Sequence, residues 1–332
     1  MNTAKTFLFI VGRGRSGTTL LSRILNTHPQ IAVAPESLFI MSLYGKYASV
    51  RSWDEEILQS FCDDLWLDDR FALWTLDRRR LKEDLISACR HGTNTYAAFC
   101  WLVYLAHATG IGKPNPAVVC DKNPHYSLFV DKLTSLYPSA KYLHILRDYR
   151  SNVLSYKGVR FDAQQISVLA YRWKKYNQEI LRYCRLRGNQ FLQVRFEDLL
   201  ADFKNTVATI CHFLGVDYEP QISEFYKHAG STAPWHANLK KKIQTDKIDE
   251  WREALPDREI AIAEAICGDF AEQFGYEPLY SPSQRHLLLT EWPKLLYASL
   301  LTRMERVLFS LPLWLRSFII KRYRIMTGSY AG

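Results

Sequence analysis

Short apolar runs alternate with amphipathic stretches over most of the chain. The runs at 7–11, 117–120, 141–146 and 191–194 each end in a polar turn and a helical pattern. Such runs suit strands of a parallel sheet buried on both faces. A further apolar run at 31–34 leads into Pro35-Glu36, which puts Glu36 at a strand end. Ile166, Leu169, Trp173, Tyr176 and Ile180 recur at helical spacing. So do Val207, Ile210, Cys211 and Leu214, with Gly215 as a stop. Repeated strand–turn–helix units predict an α/β fold, a central parallel sheet with helices on both faces.

Two stretches differ in character. Residues 41–112 hold no clear strand and many aromatics (Trp53, Trp66, Phe71, Trp74, Tyr96, Phe99, Trp101 and Tyr104 among them). They read as a helical insertion over the C-terminal edge of the sheet, its aromatics forming core or lining an apolar or sugar-binding cleft. The tail, about 281–327, is helical, basic and rich in Leu, Trp and Phe, and Pro293 and Pro312 are expected to break it. The chain thus divides into a domain at 1–280 and a basic amphipathic tail at 281–332. Either the tail packs on the domain, or it meets an anionic membrane surface through Lys/Arg and Trp/Leu faces.

Composition adds limits. The 332 residues are 48% hydrophobic and 23% charged, which is globular and ample for a core. Seven cysteines are scattered without a C-x-x-C pair and read as small buried residues of a reducing compartment. No targeting segment and no spanning apolar run is evident, so a cytoplasmic protein, at most peripheral to a membrane, is expected. The net charge is +9, and the tail supplies +6 of it, with eight Lys/Arg against Glu291 and Glu305. The remainder is only mildly basic, so no nucleic-acid partner is expected. Oligomeric state has no signature in the sequence.

The chemistry begins after the first run, at Gly12-Arg13-Gly14-Arg15-Ser16-Gly17-Thr18-Thr19. Gly12 and Gly17 have the spacing of a phosphate-binding loop, in which backbone N–H groups and a helix N-terminus cradle an anion. A triphosphatase would need Lys where Thr18 stands. That argues against a P-loop kinase, and leaves room for a monophosphate bearing one further anionic group. A non-catalytic nucleotide-binding or membrane-associated protein is the remaining alternative.

The segment Arg15-Ser16-Gly17-Thr18-Thr19 resembles the 5′-phosphosulfate loop of sulfotransferases that use 3′-phosphoadenosine 5′-phosphosulfate (PAPS). Its continuation, Asn26-Thr27-His28-Pro29 and Pro35-Glu36, looks most like the branch with the tyrosylprotein sulfotransferases and related bacterial enzymes. Arg147-Asp148 at the end of a strand, with Ser155 two helical turns on, is similar to the family's 3′-phosphate motif. An Arg fork and a hydroxyl suit a terminal phosphate. Asp121-Lys122-Asn123-Pro124, just after the run 117–120, and the turn at 194–200 with Phe196 near the adenine side extend the likeness. So do the loop from His236 through Lys242 and the helix from Lys247 through Trp251-Arg252. The resemblance covers about 6–278 apart from the insertion. It implies a P-loop-type three-layer fold and a donor site of Arg13, Gly14, Arg15, Ser16, Gly17, Thr18, Thr19, Arg147, Ser155, Phe196 and Lys241, with Arg160 as a further contact.

The implied reaction carries a sulfuryl group from PAPS to a hydroxyl of an acceptor: a carbohydrate, a lipid or glycolipid, a small molecule or a protein tyrosine. Positioned cations and N–H donors would do most of the work, and no metal is expected. Arg15 is placed at the leaving phosphate and sulfonate, but arginine is a poor proton donor. Lys122 is then the expected transition-state cation. Glu36 is the expected base, with a histidine as rival: His125 is available, while His144 sits mid-strand and His28 before Pro29 looks structural.

Overall fold

The computed structural model describes residues 5–159, 163–228, 248–280 and 286–311, together with Leu315, Arg316, Phe318, Ile319 and Arg322. Five strands, β1 (Thr6–Val11), β2 (Ile31–Val33), β3 (Val118–Lys122), β4 (Lys141–Leu146) and β5 (Phe191–Arg195), form one sheet in the order β2-β3-β1-β4-β5. Every pairing is parallel. Phe7 and Phe9 of β1 face one core layer and Leu8 and Ile10 the other, so the strand is apolar throughout because it is covered twice. β1 lies at the centre, where chain connections turn to opposite sides. The crevice beyond its C-terminal end is where such sheets take ligands.

Thirteen α-helices are present among the described residues. α1 (Thr18–Asn26) follows β1 directly. Between β2 and β3 come α2 (Phe39–Tyr47), α3 (Glu55–Leu65), α4 (Arg78–Arg90) and α5 (Tyr96–Gly110), which make up the helical insertion. Asp54, Asp77 and Thr95 start the last three by accepting bonds from Ile57, Arg80 and Ala98 backbone N–H groups. Trp53, Phe71, Trp74, Phe99 and Tyr104 are buried in one cluster with Phe7 and Phe9, so most of these aromatics are core.

α6 (Val130–Leu136), α7 (Tyr149–Lys157) and α8 (Ile166–Cys184) connect β3 through β4 to β5. α9 (Phe196–Ala201), α10 (Phe203–Leu214), α11 (Trp251–Ala254), α12 (Asp257–Ala271) and α13 (Leu287–Ser310) complete the chain. Gly215 ends α10 in the left-handed conformation, φ 79°.

Two expectations change. β3 does not end at Cys120: Phe9 and Ile10 pair with Asp121 and Lys122, so the strand itself delivers Lys122 to the sheet edge. Pro293 does not break the tail. α13 runs through it, and Glu291, one turn into the helix, is held by Ser167 and Lys294. Only one intrahelical donor is lost there, and Pro312 lies outside the described residues.

Candidate active site

The loop from Gly12 to Gly17 is clamped from three directions. Gly12 N donates to Ser127 Oγ at 2.9 Å, and Ser127 Oγ donates back to Gly12 O at 3.1 Å. Asn152 Nδ2 of α7 donates to Gly14 O and Ser16 Oγ at 2.8 and 3.0 Å. Arg147, just past β4, donates to Arg15 O at 3.1 Å. Arg15 is the one non-glycine residue with positive φ among those described, at 64°. A residue held there stores roughly 1 kcal/mol or more of strain, which the three clamps offset. Gly17, at φ 95°, brings the backbone against Phe196: a Cβ there would stand 2.3 Å from the ring Cδ2. Thr18 and Thr19 then open α1, so the N-terminal N–H groups lie at the loop mouth.

Arg15, Arg147 and Ser155 converge. Arg15 Nε donates to Ser155 Oγ at 3.1 Å, and the Arg147 guanidinium lies 4.7 Å from the Phe196 ring centre. Burial pulls both guanidiniums below the ordinary arginine range. For Arg147, Glu197 opposes that shift and Arg15 adds to it. Arg147 Nε is buried with no hydrogen-bond partner among the described residues. Two half-buried cations side by side, with a hydroxyl and an unused donor, fit a phosphate dianion.

Behind them, Glu197 accepts from Asp148 N at 2.9 Å and from Tyr276 O–H at 2.7 Å. Arg150 grips Asp148 and Glu264 and lies 3.9 Å above the Trp251 ring, while Ser151 Oγ donates to Ile248 O at 2.9 Å. The Trp-bearing helix expected near the donor is thus fixed to α7. Arg13 is buried, its guanidinium 4.3 Å from the Tyr156 ring centre and 4.7 Å from that of Tyr176. Arg160 and the segment from His236 through Lys241 to Lys247 lie outside the described residues.

Lys122 is buried at the end of β3. Its Nζ stands 3.3 Å from Thr19 Oγ1 and donates to Glu36 Oε1. Arg70 NH1 donates to the other Glu36 oxygen at 3.0 Å. Burial alone would raise the Glu36 carboxyl, but Lys122 and Arg70 together outweigh it and hold it below the usual range. Asp121 points the other way, into the core. It accepts from Tyr104 O–H, and burial pushes its carboxyl up to about 7.

The histidines sort by position. His144 is buried in β4 against Asn177 Oδ1 at 2.8 Å, and burial pushes it down to about 4. His28 bridges Gln30 N and Asp217 O. His125 Nδ1 is 2.8 Å from Glu305 Oε1 of α13. Glu305 also accepts from Arg172 at 2.6 Å and Tyr176 O–H at 2.8 Å. Burial would raise this carboxyl, yet His125, Arg172 and Arg13 hold it far below the usual range.

Sequence reasoning missed Glu305, Arg70, Ser127 and Asn152. The first three lie far along the chain from what they touch. Asn152 had a readable signal, since it falls one turn after Asp148 in the motif that ends at Ser155.

Loop, crevice and cations define a P-loop-type protein built to bind an anionic nucleotide. The model of the sulfotransferase family matches residues 8–220, and the chain belongs to that family. It is a PAPS-dependent sulfotransferase enzyme. Protein-tyrosine sulfotransferase A of Caenorhabditis elegans is 22% identical over 295 residues, covering 85% of this chain and 70% of that protein. The sulfotransferase domain from the curacin biosynthetic pathway matches the fold at TM-score 0.54 and 20% identity, over 82% of this chain and 99% of that one. The sulfotransferase domain of the Synechococcus PCC 7002 olefin synthase matches at TM-score 0.52 and 24% identity, over 79% and 95%.

Proposed function

We propose that the converging residues divide the transfer as follows. The N–H groups from Ser16 to Thr19 and the Arg15 guanidinium hold the 5′-phosphosulfate of PAPS, and Arg147 and Ser155 hold the 3′-phosphate, with Phe196 beside the adenine. PAPS supplies the sulfuryl group; the chain supplies position, charge and a base. Lys122, within reach of Thr19, offers its charge to the sulfonate and bridge oxygens as the S–O bond breaks. Glu36 takes the proton from the acceptor hydroxyl.

The observation that carries this reading is the Lys122 bridge between Thr19 and Glu36. An anion beside Thr19 competes for the Lys122 ammonium. With that pairing weakened, burial becomes the leading influence on Glu36 and its carboxyl rises toward a range suited to a base. Donor binding thereby prepares the base. Calorimetric titration with adenosine 3′,5′-bisphosphate, with and without chelator, tests the donor site. Tight, chelator-insensitive binding is expected, and preference for ATP with Mg²⁺ would overturn the reading.

The acceptor hydroxyl belongs to a carbohydrate, a lipid or glycolipid, a small molecule or a protein tyrosine. The same proposal includes a reducing, cytoplasmic setting, supported by seven free cysteines of which six are buried. It also includes peripheral contact of the basic tail with a membrane. Among the described residues no helix is long and apolar enough to cross one.

A further inference from the structure

α13 is apolar on two sides: Leu287, Leu288 and Leu295 pack against the domain, and a second apolar face points outward. Its domain-facing side carries Glu291, Ala298 and Glu305, all at most half-exposed and the first two buried. Glu291 is satisfied by Ser167 and Lys294, and Glu305 by His125, Arg172 and Tyr176. Its outer side carries Leu289, Trp292, Leu296, Leu300, Met304 and Val307, exposed at 77, 60, 50, 48, 65 and 60%. At 100° per residue these six fall within an arc of about 120°, opposite the two glutamates. The stripe is roughly 27 Å long, at 1.5 Å per residue. A contiguous apolar stripe of that size on a folded surface marks an interaction site.

Charge selects the occupant. Both acidic side chains of the tail are turned inward and paired, while Arg303 stands exposed within the arc of the stripe, Lys294 is exposed elsewhere on the helix and Arg322 further on. Among the described tail residues every exposed charged side chain is therefore basic, set on or beside an apolar face. That combination fits an anionic bilayer surface, with Trp292 and Leu side chains among the acyl chains and Lys/Arg at the lipid phosphates. Two copies of the face would bring Arg303 against like charge. We infer that α13 docks the enzyme flat on an anionic membrane through this outer stripe.

The docking element also touches the site. Glu305, on the inner side of α13, meets His125, three residues beyond Lys122. Only one helix diameter, about 10 Å, then separates the stripe from the turn that follows the strand carrying the proposed catalytic lysine. The acceptor hydroxyl is accordingly one presented at a bilayer, on a lipid or lipid-linked sugar. This last step rests on the sulfotransferase roles proposed above; the docking itself does not.

The test is co-sedimentation of the full chain with phosphatidylcholine vesicles, with and without phosphatidylglycerol. Wild-type protein is expected to pellet with the anionic vesicles only, and the double variant W292E/L296E to lose about tenfold or more of that affinity. Adenosine 3′,5′-bisphosphate binding by the variant should equal wild type, which shows that it is folded. Wild-type protein that binds this nucleotide but ignores anionic vesicles overturns the docking and leaves the donor site standing. Equal binding to neutral vesicles overturns the anionic headgroup. A concentration-dependent dimer that W292E/L296E abolishes, seen by analytical ultracentrifugation, assigns the stripe to a second copy instead.

Discussion

Glu36 is held between two cations, and this pairing makes its role measurable. Glu36→Gln keeps the shape and loses the base. Binding of adenosine 3′,5′-bisphosphate should persist while kcat falls by about 10²- to 10⁴-fold, and near-normal turnover would remove Glu36 from the chemistry. Lys122→Ala gives a complementary result. Without the ammonium, only Arg70 and the weaker influence of His125 oppose burial, so the Glu36 carboxyl rises. The base works only when ionised, so the acid limb of the kcat profile should move to higher pH as kcat drops. An unmoved limb with lowered kcat would separate Lys122 from the base. Neither partner of Glu36 could be assigned from spacing. Lys122 was legible as a cation near the donor, because its strand and turn are continuous in sequence. Arg70 was not, because only folding of the insertion brings it to Glu36.

At the scale of elements, what was legible followed locality. β1, the glycine loop and α1 are consecutive, and so are β4, Arg147 and the helix bearing Ser155, so pattern and spacing suffice for them. α13 is the contrary case. Its composition left packing on the domain and contact with a membrane both open, and Pro293 suggested a break. Yet Glu305 reaches back to Arg172 and His125, and Arg306 donates to Leu128 O at 2.8–2.9 Å. No local pattern announces such contacts. Glu305→Ala leaves the Arg172 guanidinium, nearly buried, without its carboxylate. The expected loss is roughly 3 kcal/mol of stability, as for a broken buried ion pair. Chemical denaturation measures it, and a change within 0.5 kcal/mol, the usual range of a surface substitution, would show that α13 merely rests on the domain. Glu305→Gln, which keeps the shape and one acceptor oxygen for either Tyr176 or Arg172, should recover part of the loss.

For the whole molecule, pH acts through groups of opposite sign. His107 and His144 are both pushed down to about 4 by burial, so the stability they contribute is present above the ordinary histidine range and is lost as pH falls toward 4. Glu305 and Glu36, with lowered carboxyls, also lose their contribution on acidification. Asp121 runs the other way. Folded, its carboxyl holds a proton up to about 7, whereas unfolded it releases it near 3.8. Between those values the native state binds more protons, so Asp121 erodes stability as pH rises and exerts its full penalty above about 7. Asp121→Asn removes this titration and keeps an oxygen for the Tyr104 hydroxyl. The variant's melting temperature relative to wild type should therefore climb from about pH 4 to about pH 7 and then level off. A difference that stays constant across that interval would mean that Asp121 is ionised in the fold, paired with the adjacent Lys122. Lys122 would then serve two carboxylates rather than Glu36 alone, and the donor would have to draw it from both.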